Sequence, residues 1–123
     1  MHTLPVIITQ IDYWPVDIPI TDPFVVATGA RVVAENVFVR ITLRDGTCGY
    51  GEAAPFPEVG GEDRITCLNA LSGLARTLIG QSVHGYRELA AHMAQATPMQ
   101  PAARCALETA LLDVSCRRAK LPM

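Results

Sequence analysis

One run constrains this chain more than any other: ENVFVRITLRDGTCGYGE, residues 35–52. Within it Val37, Val39, Ile41 and Leu43 alternate with Phe38, Arg40, Thr42 and Arg44. A period of two puts the first set on one face of a strand and the second on the other, which predicts a half-buried strand over 36–44. Asp45-Gly46 follows at once, a pair that favours a tight hairpin whose two central residues both take positive φ. The chain must then return antiparallel over 47–52. A hairpin with one oily face is not stable alone in water and needs a covering layer.

The flanking sequence supplies both more strand and the cover. Val6 to Tyr13 is rich in β-branched residues and lacks glycine, which predicts another strand. Pro15 and Pro19 then predict an extended passage or a sheet edge, and Thr21 to Arg31, TDPFVVATGAR, a long excursion before the next strand. Downstream, Ile65, Leu68, Leu71, Leu74, Ala75, Leu78 and Ile79 recur at helical spacing, with Gly80 as the stop. Glu62 and Asp63 suit the positive end of that helix. A short second helix is expected over 86–94, with Tyr86, Leu89, Ala90 and Met93 in one stripe. A third starts near Pro101 and runs to about Arg118, with Arg104–Glu108 and Asp113–Arg117 as i,i+4 charge pairs. Its Ala102, Ala103, Ala106, Leu107, Ala110, Leu111 and Val114 form a face of small side chains. The expected architecture is α+β: a three-stranded antiparallel meander followed by three helices. The third helix carries more apolar surface than so small a sheet needs, and the surplus reads as an interface.

Other classes can be set aside. With half of its 123 residues hydrophobic and 18% charged, the chain can bury a core and fits one domain. A net charge of −2 gives no electrostatic grip on nucleic acid or an anionic membrane. No apolar run reaches the roughly 18 residues of a membrane span, and MHTLPVIITQ lacks the marks of a signal peptide, so a cytoplasmic location is expected. Cys48, Cys67, Cys105 and Cys116 contain no CxxC pair and read as reduced structural thiols, the last three as small hydrophobes on helices. His2, His84 and His92 lack ligand spacing and read as surface residues. Ser72, Ser82 and Ser115 fall in no nucleophile motif, and the glycines of GYGE and GG form no phosphate loop. Lys120 is the one lysine; the other cations are arginines, which stay protonated and make poor bases. Glu52 ends a strand among glycine and proline and is either a buried or bridging carboxylate or a solvated loop end. The residues alone therefore define no catalytic constellation and no metal site.

The order of several segments is more specific. PFVVATGAR, then ENVFVRITLRDGTCGYGEAAPFPEVGGED, LIG, PAARCALETALLD and LPM resembles the N-terminal capping domain of the enolase superfamily, in the mandelate racemase/muconate lactonizing enzyme group. The match is closest to the dipeptide epimerases and covers essentially the whole chain. The resemblance implies that residues 1–123 cap a C-terminal β/α barrel absent from this chain. That barrel would carry the Mg2+ ligands and lysines that remove a proton next to a substrate carboxylate. The cap would contribute two loops, Phe24 to Arg31 and Ala53 to Gly60, that exclude water and select a small carboxylate substrate such as a dipeptide. By family position Phe24 leads in specificity, Thr28 and Arg31 face the same cavity, Phe56 is the apolar wall of the second loop, and Pro55 and Pro57 give shape. No catalytic residue, metal or other cofactor is expected in the chain itself, which alone should be inactive. The alternatives are the cap of a muconate or chloromuconate cycloisomerase, or a stand-alone binding module without catalysis. Without its barrel, the small-residue face of the third helix should be an exposed patch that drives homo-oligomer formation.

Overall fold

In the computed structural model, residues 6–20, 25–26, 29–30, 33–57 and 61–123 are described. Strands β1 (Ile8–Pro19), β4 (Val33–Leu43) and β5 (Cys48–Ala53) form an antiparallel sheet in the order β1-β4-β5. Two-residue strands β2 (Val25–Val26) and β3 (Gly29–Ala30) pair with each other in a small separate ribbon within the excursion between β1 and β4. Helices α1 (Arg64–Leu78), α2 (Tyr86–Ala96) and α3 (Pro101–Ala119) follow, with a 3-10 turn over Val83–Gly85. The α+β reading holds. Among the described residues no helix is long and apolar enough to cross a membrane.

The alternation in β4 lands as expected: Val37, Val39, Ile41 and Leu43 are all buried, while Phe38, Arg40 and Thr42 keep partial exposure on the other face. The turn differs. Gly46 has φ +89°, but Asp45 has no positive φ. The Gly46 N–H donates to the Leu43 carbonyl and the Leu43 N–H to the Thr47 carbonyl. This is a three-residue hairpin loop that needs one left-handed residue, supplied by glycine. The Asp45 carboxylate accepts from the Thr47 N–H instead.

β1 runs further than Tyr13, straight through both prolines, with Pro15 opposite Val37 and Pro19 opposite Val33. A proline fits a ladder only where its nitrogen points away from the partner strand. Pro15 and Pro19 share parity, so both face the open side of β1 and deprive that edge of donors, which guards it against pairing with another chain. A bulge between Ile8 and Gln10 shifts the parity of the strand start. It turns Ile8 inward along with Ile11 and Tyr13, which pack on the core.

α1 begins at Asp63, whose carboxylate accepts from the Thr66 N–H at 2.8 Å while the Thr66 hydroxyl accepts from the Asp63 N–H at 3.1 Å. That reciprocal cap satisfies two orphan donors. The buried stripe is Cys67, Leu71, Leu74, Ala75 and Leu78. Ile65 and Ile79, expected in it, are exposed. Ile65 lies about 120° around the helix from Leu71 at 100° per residue, and Ile79 is the extended C-cap beyond the last turn. Gly80, at φ +90°, ends the helix as anticipated.

α3 corrects the interface reading. Ala103, Ala106, Leu107, Ala110, Leu111 and Val114 are fully buried, and they pack on the chain's own sheet. The reason is in β5: a methyl group at Gly51 would overlap the Ala106 carbonyl, and one at Gly49 the Val114 backbone. Glycine lets helix and strand backbones approach to contact, so a short strand absorbs a long helix face. The ground offered for oligomer formation, an open small-residue patch, is therefore removed. Cys105 is exposed rather than packed, and Arg104 donates to the Thr97 and Pro98 carbonyls instead of pairing with Glu108. Asp113–Arg117 forms as expected at 3.0 Å, and the same Asp113 carboxylate accepts from the Tyr50 N–H at 2.8 Å, tying α3 to β5.

Candidate functional site

Register decides where the loops start. β1 ends opposite the first residue of β4, and β5 ends at Ala53 opposite Val37. The excursion after β1 and the proline-bearing connection after β5 therefore leave the sheet at the same end. Between their roots lies a cleft of about 340 Å³ lined by Ile20, Ala34, Glu35, Asn36, Ala54, Pro55 and Phe56.

Its walls are chiefly apolar. Ile20 continues from β1, and Ala54, Pro55 and Phe56 continue from β5, with Pro55 buried and Phe56 half-buried. The floor is polar and fixed. Asn36, buried, donates from Nδ2 to Glu52 Oε2 at 2.6 Å. Glu52 is thus the bridging carboxylate anticipated, but solvent-exposed rather than buried. At the rim Asp17 and Glu35 stand directly opposite in the β1–β4 register. Like charges in that position repel. Arg64, the first residue of α1, donates to Asp17 and stands 3.9 Å from Glu35, so one guanidinium bridges both.

The connection after Ala54 is also held at its far end. Gly61, at φ +74°, donates to the Pro57 carbonyl. Glu62 then turns inward and is 3% exposed. It was expected to complement α1; it complements α3 instead, its two oxygens accepting from the Ala102 N–H at 2.9 Å and the Ala103 N–H at 3.2 Å. A carboxylate is well placed against the unpaired donors and positive end of a helix. Its charge, after burial, helps push the nearby Cys67 thiol up to about 12.

Of the residues singled out from the sequence, Phe56 lies in the cleft. Phe24, Thr28 and Arg31 lie outside the described residues. Sequence reasoning missed Ile20, Glu35 and Asn36, and assigned Glu62 to the wrong helix. Asn36 alone carried a signal, a polar residue just before the apolar alternation begins. Among the described residues no three acidic, histidine or cysteine side chains converge as a metal site requires. A second, more open groove of about 380 Å³, lined by Phe38, Tyr50, Gly51, Glu52 and Thr109, lies on the outer side of the sheet near α3. It does not receive both loop roots, which is why the first cleft is taken as the site.

Known proteins share this fold. The family described as "Mandelate racemase / muconate lactonizing enzyme, N-terminal domain" matches residues 8–123. An aromatic dipeptide epimerase of Herpetosiphon aurantiacus is 43% identical over 120 residues, covering 98% of this chain and 34% of that protein. The crystal structure of a mandelate racemase/muconate lactonizing protein from Herpetosiphon aurantiacus superimposes with TM-score 0.90 at 44% identity, over 95% of this chain and 33% of that one. A dipeptide epimerase from Cytophaga hutchinsonii, complexed with Mg and D-Ala-L-Val, superimposes with TM-score 0.86 at 31% identity, over 92% of this chain and 31% of that one. The chain thus spans about a third of the length of such relatives.

Proposed function

Because this chain belongs to the mandelate racemase/muconate lactonizing enzyme N-terminal domain family, we propose that it is the capping domain of a magnesium-dependent dipeptide epimerase. The observation that carries this reading is the convergence of two loop roots on one apolar-walled cleft. A barrel docked below that end of the sheet would find a preformed roof.

In this reading the chemistry is divided. Magnesium supplies stabilisation of the charge that develops on the substrate carboxylate. The described residues do not fit a site for it, so its ligands and the proton-abstracting bases are assigned to the barrel. This chain excludes water and orients the side chain of the dipeptide. Ile20, Pro55 and Phe56 offer apolar surface, and a pocket of that kind favours a hydrophobic or aromatic side chain. Phe24, Thr28 and Arg31 are proposed to complete the wall from the first loop.

The test is α-proton exchange in D2O, followed by NMR, on the protein expressed from the complete reading frame. Aromatic dipeptides should exchange with added magnesium and cease to do so with a chelator. Phe56→Ala should raise KM for an aromatic dipeptide about tenfold, the scale of about 1–2 kcal/mol of lost apolar contact, with little effect on Ala-Ala. Absence of exchange with any dipeptide would sink the proposal.

A further inference from the structure

Outside the cleft, the feature that the proposed function leaves unused is Glu62, a carboxylate 3% exposed that bonds no other side chain in the described residues and instead takes two backbone N–H groups of α3. A cap of α3 could come from an ordinary residue at its own N-cap, as Asp63 does for α1. At the α3 N-cap stands Gln100, which makes no side-chain cap bond. The capping group is instead borrowed from a position about 40 residues earlier, at the end of the connection that leaves the cleft. What this bond fixes is the loop relative to the helix.

We propose that Glu62 is a positioning residue: by clamping the far root of the Ala54–Gly61 connection to the N-terminus of α3, it sets where Phe56 stands over the cleft. The near root has its own clamp, Glu52 held by Asn36 at 2.6 Å. Glu52 joins β5 to β4 just before the connection begins, Glu62 ties the far end to the helix layer, and α3 is itself locked on β5 through Gly49 and Gly51. Gly61 is the left-handed residue that lets the chain turn inward to Glu62. The role in substrate recognition rests on the capping-domain reading above; the mechanical role does not.

The experiment uses the protein from the complete reading frame with Glu62→Gln, which keeps the shape but leaves one oxygen to serve two donors. Two readouts are taken. Hydrogen exchange should accelerate about tenfold or more both at Ala102 and Ala103 and at the amides of Ala54, Phe56 and Gly61, with the amides of β4 unchanged. KM for an aromatic dipeptide should rise about tenfold while kcat stays within about threefold, because binding is loosened equally in ground and transition states. Faster exchange confined to the first turn of α3, with the loop amides and KM unmoved, would reduce Glu62 to a helix cap and overturn the proposal. If E62Q does not fold, exchange on the unaltered protein decides. The amides of Ala102, Ala103 and Gly61 should then open with one shared free energy, and independent opening would refute the clamp. A wild-type protein that turns over no dipeptide refutes the epimerase reading, while the exchange arm still judges Glu62.

Discussion

Replacing Gly51 by alanine tests the packing on which the whole cap depends. Gly51 lies in β5 and has no positive φ, so alanine is compatible with its backbone. The obstacle is the neighbour: the new methyl would overlap the Ala106 carbonyl and crowd the Ala110 N–H. Both are helix backbone, which cannot swing aside as a flexible side chain can. Overpacking typically costs about 1–3 kcal/mol, and a rigid opponent places this case near about 3. The lower entropy of unfolded alanine offsets about 0.7 kcal/mol of that. The net loss of about 2 kcal/mol, with about 2.1 cal/mol/K of unfolding entropy per residue, corresponds to a fall in Tm of about 8 °C. Gly73 supplies the matched control. It is an exposed site inside α1 with nothing within 4 Å of a would-be Cβ, so Gly73→Ala should gain about 0.5–1 kcal/mol. The same chemical change thus carries opposite signs at two sites. Urea unfolding read by Trp14, the single tryptophan, measures both. A G51A variant as stable as G73A would mean that α3 does not lie on β5 as described.

The cysteines should label in an order set by burial. Cys105 is exposed and Cys67 is buried with its thiol pushed up to about 12, so N-ethylmaleimide at neutral pH should modify Cys105 first and Cys67 only on unfolding, as peptide mapping would record. Acid should destabilise the fold through three aspartates. Hydrogen bonds from Gln10 and Arg40 hold Asp12 low, the Thr47 N–H holds Asp45 low, and the Thr66 N–H holds Asp63 low. A folded pKa below the unfolded one gives stability that is full above about pH 4 and fades as pH falls through the lowered value. The urea midpoint should therefore drop between pH 5 and 3, and drop less in a variant carrying Asp12→Asn, Asp45→Asn and Asp63→Asn; an unchanged slope would remove these groups from the account.

What the sequence made legible divides by the range of the interaction. The inward face of β4 follows from a period of two within one strand, and Val37, Val39, Ile41 and Leu43 could be placed with no knowledge of their neighbours. The stop at Gly80 and the cap at Asp63 are equally local. Asp45-Gly46 marked the turn but not its geometry, because one left-handed glycine closes a three-residue loop as well as two left-handed residues close a shorter one. Long-range partners were illegible. That α3 lies on Gly49 and Gly51 depends on a strand some 55–65 residues away, and so its small side chains looked unpartnered. Glu62 next to Asp63 suggested one helix terminus when each acid serves a different one. The cleft was legible as its second loop, through Pro55 and Phe56; Ile20, Glu35 and Asn36 join it through the strand register, which no single segment encodes.

Under the proposed capping role, these same long-range ties give one frame on which different selectivities can be built. The frame is held by helix against glycine strand, a reciprocal cap on α1, and Asp113 of α3 on the Tyr50 N–H of β5. The cleft is held by clamps on its rim, with Asn36 on Glu52, Arg64 across Asp17 and Glu35, and Glu62 on α3. Of the groups that form these clamps, Asn36 and Glu35 also line the cleft, whereas Glu52, Asp17, Arg64 and Glu62 stand beside it. Under the proposed capping role, a substitution at Ile20 changes the shape offered to a ligand, whereas a substitution of Glu62 moves the wall as a unit. Loops on a rigid scaffold can vary in the side chains they present without losing their placement. Under the proposed function, exchanging Phe56 for Leu should alter which dipeptide is preferred, and exchanging Glu62 should weaken binding of every dipeptide alike.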